Sequence, residues 1–291
     1  MVAALDTLTA TFSWRSSGVP KVPSVITIWF WVIKILCTTV GESCADWLNE
    51  NLGLGLANTA YVMSAVFVVA FLVQFFATRY IALLYWLVVV LISTTGTLIT
   101  DNLTDNVGVE GWVCVVVFSG LLAVSFLAWY LVEGTLSIHS IYTHRREFFY
   151  WLVVLFTFAL GTAAGDLIAE KLGLGYWETL LVFVAIIAAI AVAYFALKVN
   201  AVLAFWLTYI MSRPLGASLG DLLASPKDEG GAGLGPGVTS AIFLSVILVV
   251  VVFLSVTKKD VDGTSAKPVM PDHAAAAEAQ APIATQSRVG V

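Results

Sequence analysis

FWVIKILCTTVGESCAD, residues 30–46, is apolar enough for a membrane-spanning helix, yet it contains Lys34, Glu42 and Asp46. Charged side chains are costly in an apolar environment, so such residues are usually paired or functional. The three residues are also spaced by multiples of four, which places them near one face of a helix. The rest of the chain is therefore expected to supply partners for this face.

The same stretch recurs three times without gaps, as YWLVVVLISTTGTLITD (85–101), YWLVVLFTFALGTAAGD (150–166) and FWLTYIMSRPLGASLGD (205–221). In every copy a Gly follows the Trp by ten residues, and an Asp follows that Gly by five. A Gly-containing turn and a second apolar run come next, so each unit predicts helix, turn, helix. The prediction is an all-α membrane bundle of eight transmembrane helices, at about 24–50, 56–78, 81–105, 111–132, 149–172, 175–198, 200–224 and 237–256.

Composition agrees with a polytopic membrane protein. The 291 residues are 60% hydrophobic and 11% charged, with a mean hydropathy of +0.95, whereas soluble domains are about 45–50% apolar and about 25% charged. The net charge of −5 argues against nucleic acid as a partner and leaves membrane lipid and a small solute. The apolar runs contain no His and no HExxH or Gly-x-Ser-x-Gly motif, so we expect neither an enzyme nor a bound cofactor.

Basic residues lie mostly at the chain ends and in the loops after even-numbered helices, with only Lys171 and Lys227 in the opposite loops. The positive-inside rule then predicts that both termini are cytoplasmic. All four repeats share one orientation, so they are parallel. The predicted organisation is a cytoplasmic lead (1–21), a first membrane half (22–133), a basic linker (134–148), a second half (149–257) and a disordered tail (258–291).

Over roughly residues 20–257, the four Trp-Gly-Asp sets resemble bacterial membrane proteins built from four tandem two-helix repeats, a family labelled uncharacterised membrane-anchored proteins. This resemblance implies the architecture and a place in a bacterial inner membrane. It implies no activity, so the function has to be inferred from the residues.

The polar positions of the first repeat have counterparts in every copy, and these predict layers if the odd-numbered helices surround one axis. From the non-cytoplasmic side inward, the layers are Asp46, Asp101, Asp166 and Asp221; then Glu42, Thr97, Thr162 and Ala217; then Thr38, Ser93, Phe158 and Arg213; and deepest Lys34, Val89, Val154 and Tyr209.

Carboxylates and hydroxyls are the ligands of hard cations. We expect a cation or substrate site at Glu42, the four aspartates and the hydroxyls of Thr38, Ser93, Thr97 and Thr162. A metal ion would be held by Glu42, Asp46, Asp101, Asp166 and Asp221. Lys34, Arg213 and Tyr209 would act as counter-charges or gate, and the repeat glycines would allow close helix approach.

The favoured function is transport of a hard inorganic cation such as Mn²⁺ or Mg²⁺, as proton-coupled export, with a channel as a variant. Two alternatives remain open. One is transport of a small organic cation or metabolite through the same column. The other is a structural or signalling membrane protein in which the ion pairs only hold helices together.

Overall fold

The computed structural model describes residues 20–171 and 173–261, and this part of the chain contains no β-strand. It forms eight long helices: α1 (Ile28–Asn51), α2 (Leu56–Phe76), α3 (Ala82–Asp101), α4 (Gly111–Glu133), α5 (His144–Asp166), α6 (Tyr176–Leu197), α7 (Ala201–Ala224) and α8 (Pro236–Thr257). One π-helical turn extends α3 over Asn102–Asn106, and another extends α5 over Leu167–Lys171. The all-α class and the helix order agree with the prediction.

The clearest difference in bounds is the start of α5, which lies at His144 instead of 149. The Thr143 hydroxyl caps this helix by accepting a hydrogen bond from the Arg146 backbone N–H at 3.3 Å. The end of the predicted linker is thus helical. The predictions of an N-terminal lead and a disordered tail concern mostly 1–19 and 262–291, which lie outside the described residues.

Glycine makes the turn inside three of the repeats. Gly55, Gly175 and Gly235 precede α2, α6 and α8 with φ of 75°, 79° and 78°. This left-handed backbone is strained for residues with a Cβ. The Gly-x-Gly after the first helix of these three repeats therefore reverses the chain direction.

The odd-numbered helices form a closed inner ring, in which α1 packs on α3, α3 on α5, α5 on α7, and α7 on α1. The repeat glycines lie at these four contacts, where an added Cβ would overlap a side chain of the neighbouring helix. The contacts are Gly41 with Ser93, Gly96 with Phe158, Gly161 with Arg213, and Gly216 with Thr38. The glycines thus set the close approach that brings the four polar stripes onto one axis.

The even-numbered helices form an outer layer, and each packs mainly on the first helix of the following repeat: α2 on α3, α4 on α5, α6 on α7 and α8 on α1. In the most apolar stretch of each helix, only 11% of the residues of α2 and 6% of those of α6 are buried, against 61% for α1 and 67% for α3. Because α4 packs on α5 and α8 on α1, the first two repeats interlock with the last two.

Seven of these helices are long and apolar enough to cross a membrane. The exception within the described residues is α7, which carries Arg213, Pro214 and Asp221 and is largely buried by its neighbours. Length and apolarity thus support seven of the eight predicted spans.

Candidate functional site

The predicted second layer is assembled on the axis of the inner ring. The Thr97 hydroxyl of α3 donates to Glu42 Oε2 of α1 at 3.3 Å. It also lies 3.5 Å from the Thr162 hydroxyl of α5. Glu42 is only 5% exposed, and both threonines are fully buried. Stripes from separate repeats therefore face one another, as the layered column requires.

Arg213 of α7, which was predicted in the third layer, reaches up to this second layer and joins its members. Its Nη2 donates to Glu42 Oε2 at 2.8 Å, to Thr162 Oγ1 at 2.6 Å and also to Thr97 Oγ1. Its Nη1 donates to the Thr38 carbonyl at 3.0 Å. A single buried guanidinium therefore bonds to all three other inner helices. An ionised pair inside a hydroxyl shell is stronger than a neutral hydrogen bond, and it strongly limits how these helices can move.

The sequence predicted that Lys34 would act as a counter-charge, but its ammonium group does not contact a carboxylate. Its Nζ lies 4.1 Å from the ring centroid of Phe158 and 4.3 Å from that of Tyr209, in a cation–π arrangement. The side chain is fully buried, and Nζ has no hydrogen-bond partner among residues 20–171 and 173–261. Among the described residues, Arg213 forms the ion pair with Glu42. Lys34 instead lies against the rings of Phe158 and Tyr209.

The four repeat aspartates line the outer end of the column. Asp46, Asp101, Asp166 and Asp221 are all half-buried, each one helical turn beyond the second layer. Asp101 and Asp221 both lie within electrostatic range of Glu42, Asp46 and Asp166. We call these four aspartates the acidic mouth; they lie one helical turn from the Glu42–Arg213 pair.

The five predicted metal ligands do not form one closed coordination shell. Across the described ranges, no three His, Cys, Asp or Glu side chains lie close enough together to hold a metal ion. In this conformation Glu42 is bonded to Arg213. A cation here would need hydroxyl or water oxygens to complete its shell.

Aromatic side chains close the opposite end of the column. The Tyr85 and Tyr150 hydroxyls lie 2.5 Å apart, and Trp86 and Trp151 pack edge-on against them. Three of the four repeat tryptophans are buried, the exception being Trp31. Packing therefore explains these positions better than anchoring at a membrane surface.

A groove lies beside the column. It has a volume of about 950 Å³ and opens between α1, α6, α7 and the segment around His139. Its walls are mostly apolar, and its inner end reaches Ser212, next to Arg213 in the chain. The groove is on the outer surface of the ring, separate from the polar axis.

Comparison with known families settles the relationship that the repeats suggested. The family model described as Repeat of Unknown Function (DUF347) matches four times in tandem, at 29–80, 84–135, 149–200 and 204–260. The chain belongs to the DUF347 repeat family. No curated protein and no solved structure matches it. The DUF347 match confirms the four-repeat family and carries no activity.

Sequence reasoning missed a second buried polar cluster in this DUF347 protein. Lys21 Nζ lies 2.8 Å from each of Glu147 Oε2, His144 Nδ1 and the Phe75 carbonyl. Gln74 Nε2 donates to Glu147 Oε1 at 3.2 Å. This cluster joins the segment before α1 to the end of α2 and the start of α5.

A signal for this cluster was present in the repeats. Glu147 lies four residues before its repeat Trp, where the other copies have Thr27, Ala82 and Val202. The same departure from the repeat had singled out Glu42.

Proposed function

We propose that the protein is an integral membrane transporter that carries a hard inorganic cation along the axis of the inner ring. Large apolar side chains cover the outer helices: Tyr61, Val69 and Phe76 of α2 are 71%, 63% and 69% exposed. So large an exposed apolar surface is unfavourable in water and is suited to lipid. The distribution of basic residues supports cytoplasmic termini, with the acidic mouth on the other side.

The observation that carries the proposal is the Glu42–Arg213 pair inside its threonine shell. Both residues depart from their repeats, since Thr97, Thr162 and Ala217 replace Glu42, and Thr38, Ser93 and Phe158 replace Arg213. Repeat architecture alone therefore requires neither charge. A buried pair commonly adds little stability over apolar side chains of equal volume. An exchangeable carboxylate gives this pair at the axis a role that stability alone does not supply.

The exchange has a defined path. A cation attracted by the aspartates approaches Glu42 from the mouth and competes with Arg213 for its carboxylate. When Arg213 is released from Glu42, the Thr38 carbonyl and the Thr162 hydroxyl still accept its N–H groups. Thr97 can then turn its hydroxyl oxygen toward the ion. The displaced guanidinium thus keeps partners, which lowers the cost of the exchange.

Features of the column favour a hydrated inorganic ion over an organic cation. Aromatic faces are the usual recognition element for organic ammonium groups. The two faces nearest the axis, on Phe158 and Tyr209, are already occupied by Lys34. Mg²⁺ and similar ions keep several waters and need few protein ligands. One glutamate with threonine hydroxyls is chemically suited to such an ion.

The direct test is cation flux in proteoliposomes that contain the purified protein. We expect flux of Mn²⁺ or Mg²⁺ above that of empty liposomes, and at least a tenfold loss in Glu42→Gln. The matched control is Glu110→Gln, since Glu110 lies in the loop before α4. If no ion of a divalent and monovalent panel is transported, or if Glu42→Gln transports normally, the proposal fails and the ion pair has only a structural role.

A further inference from the structure

The groove beside the column has one polar end and an apolar remainder. Ser24, Ser137 and His139 line the polar end, and the His139 Nδ1–H donates to the Ser24 carbonyl at 2.9 Å. At the far end, the Ser212 hydroxyl donates to the Tyr209 carbonyl of its own helix at 2.7 Å. The groove therefore suits a ligand with a polar head and an apolar tail.

The groove is as long as one leaflet of a bilayer is thick. Its lining along α7 extends from Ala201, the first residue of the helix, to Ser212. At about 1.5 Å per residue, this stretch rises about 16 Å. The hydrocarbon core of a membrane is about 30 Å thick, so one leaflet supplies about 15 Å of it. A lipid chain of a single leaflet would fill the groove from end to end.

The groove is open because α6 packs on α7 and makes little contact with α1. Ile187 and Ala191 line it from α6, and Trp31 and Ile35 line it from α1. An empty apolar gap forfeits the dispersion contacts that packed proteins otherwise make. In a membrane, lipid chains are the apolar molecules at hand to fill such a gap.

A lysine lies near the polar end of the groove. Phe195 and Ala201 both line the groove, and Lys198 lies between them in the turn from α6 to α7. Three residues of chain span at most about 11 Å, so Lys198 is close to both. Its side chain is exposed to solvent. It is therefore available to a charged headgroup.

The end of α8 adds positive charge to the same rim. The Asp260 carbonyl accepts the Ser24 backbone N–H at 3.1 Å, and Lys258 and Lys259 directly precede Asp260. The Asp260 carboxylate is buried and accepts from the Tyr80 hydroxyl at 2.6 Å. None of the residues that line the groove is acidic. Three lysines against one buried aspartate favour a negatively charged headgroup.

We propose that the groove binds one phospholipid with a net negative headgroup, from the leaflet on the side of the termini. An acyl chain lies between α1, α6 and α7, and the phosphate lies near Lys198 and His139. The lipid thus braces α6 against α1. This inference rests on the proposed insertion in a membrane but not on cation transport, because the groove is separate from the polar axis.

The test measures lipid binding to the purified, delipidated full-length protein by native mass spectrometry. The protein in detergent is titrated with dioleoyl phosphatidylglycerol or dioleoyl phosphatidylcholine, which share their acyl chains and differ in net charge. We expect the first phosphatidylglycerol to bind roughly fivefold more tightly than the first phosphatidylcholine. Equal affinities would overturn the proposal. No cation gradient is involved, so a negative flux assay would leave this result unaffected.

Two matched tryptophan variants assign the lipid to the groove. Ala191→Trp fills the groove from an exposed position of α6, and it should weaken the first phosphatidylglycerol about tenfold. Ala189→Trp adds the same side chain at an exposed position of α6 that does not line the groove, so it should bind as the wild type does. Unchanged binding in Ala191→Trp, or equal losses in both variants, would refute the assignment.

The headgroup contact has its own pair of variants. Lys198→Gln should bring the affinity for phosphatidylglycerol close to that for phosphatidylcholine and leave the latter unchanged. Lys227→Gln removes an exposed lysine beyond the opposite end of α7 and should keep the wild-type preference. A Lys198→Gln protein that still prefers phosphatidylglycerol as strongly as the wild type would contradict the placement of the phosphate.

Discussion

The Glu42–Arg213 pair gives the sharpest prediction about stability. In Glu42→Gln, Arg213 stays fully buried beside Thr97 and Thr162, but it loses the carboxylate to which its Nη2 donates. Breaking one side of a buried pair costs about 3–5 kcal/mol. The amide oxygen of glutamine can still accept from Nη2, so we expect about 3 kcal/mol. Arg213→Met leaves Glu42 buried without its cation and should cost at least as much.

The double variant separates pairing from packing. With both charges removed, neither member of the pair leaves the other uncompensated, so Glu42→Gln/Arg213→Met should be much less destabilised than the sum of the single variants. We expect a coupling free energy of about 2–3 kcal/mol, near the upper end for residues in contact. The measurement is the free energy of unfolding in mixed micelles at neutral pH.

A comparison cycle is available at the end of α4. The Glu133 side chain is only 5% exposed, but it pairs with two arginines, Arg145, which is 49% exposed, and Arg146, at 2.6 Å. Glu133→Gln/Arg145→Met should show a coupling below about 1 kcal/mol, because Arg145 is exposed to solvent and Arg146 still pairs with Glu133 when Arg145 is replaced. If the Glu42–Arg213 coupling is equally small, these two side chains do not form the buried pair described here, and the transport proposal loses its main support.

Two further predictions concern packing and pH. Gly161→Ala places a Cβ against Arg213 and Pro214, and this overpacking should destabilise the protein by about 1–3 kcal/mol. The control is Gly120→Ala on α4, whose Cβ meets nothing within 4 Å, so it should be neutral or slightly stabilising. Equal free energies of unfolding for the two variants would refute the close approach of α5 and α7. Tyr80 donates to the buried Asp260 at 2.6 Å, and burial together with that carboxylate raises the pKa of its hydroxyl. Tyr80→Phe should therefore lower the free energy of unfolding by about 1.5–3 kcal/mol below about pH 10. Above that pH the tyrosine hydroxyl ionises in the unfolded wild type before it does so in the folded protein, so the wild type loses this contribution and the difference in unfolding free energy between the two proteins should narrow. A difference that does not change with pH would contradict this.

Much of the fold could be predicted because each repeat specifies the same local structure. Trp86, Gly96 and Asp101 have counterparts at identical spacing in every copy, so one correct unit gives eight helices. The sequence did not indicate that each outer helix packs on the following repeat. A helix that is apolar all round, such as α2, has no distinct face to choose a neighbour.

The candidate site was predictable to the extent that its residues lie on helix stripes. The spacing placed Glu42 and Thr97 in one layer because side chains stay near their own helical turn. It placed Arg213 one layer deeper, and only the length of the arginine side chain brings its guanidinium to Glu42. It did not predict the course of Lys34, whose long flexible chain reaches Phe158 and Tyr209 instead of a carboxylate. Lys21 and Glu147 lie before the Trp-Gly-Asp stretches of their repeats, and 126 positions separate them in the chain, so the repeat pattern does not bring them together.

The most direct test of the central claim is cysteine accessibility along the axis. Thr97→Cys is introduced after Cys37, Cys44 and Cys114 have been replaced by serine or alanine, and a small charged thiol reagent is added from the side of the acidic mouth. Val124→Cys, at an α4 position that is 64% exposed on the outer surface, is the control. The account predicts that the Thr97 variant is modified faster, that the transported cation slows the reaction, and that modification blocks flux. Modification of Thr97→Cys no faster than that of Val124→Cys, with no protection by any cation, would contradict it.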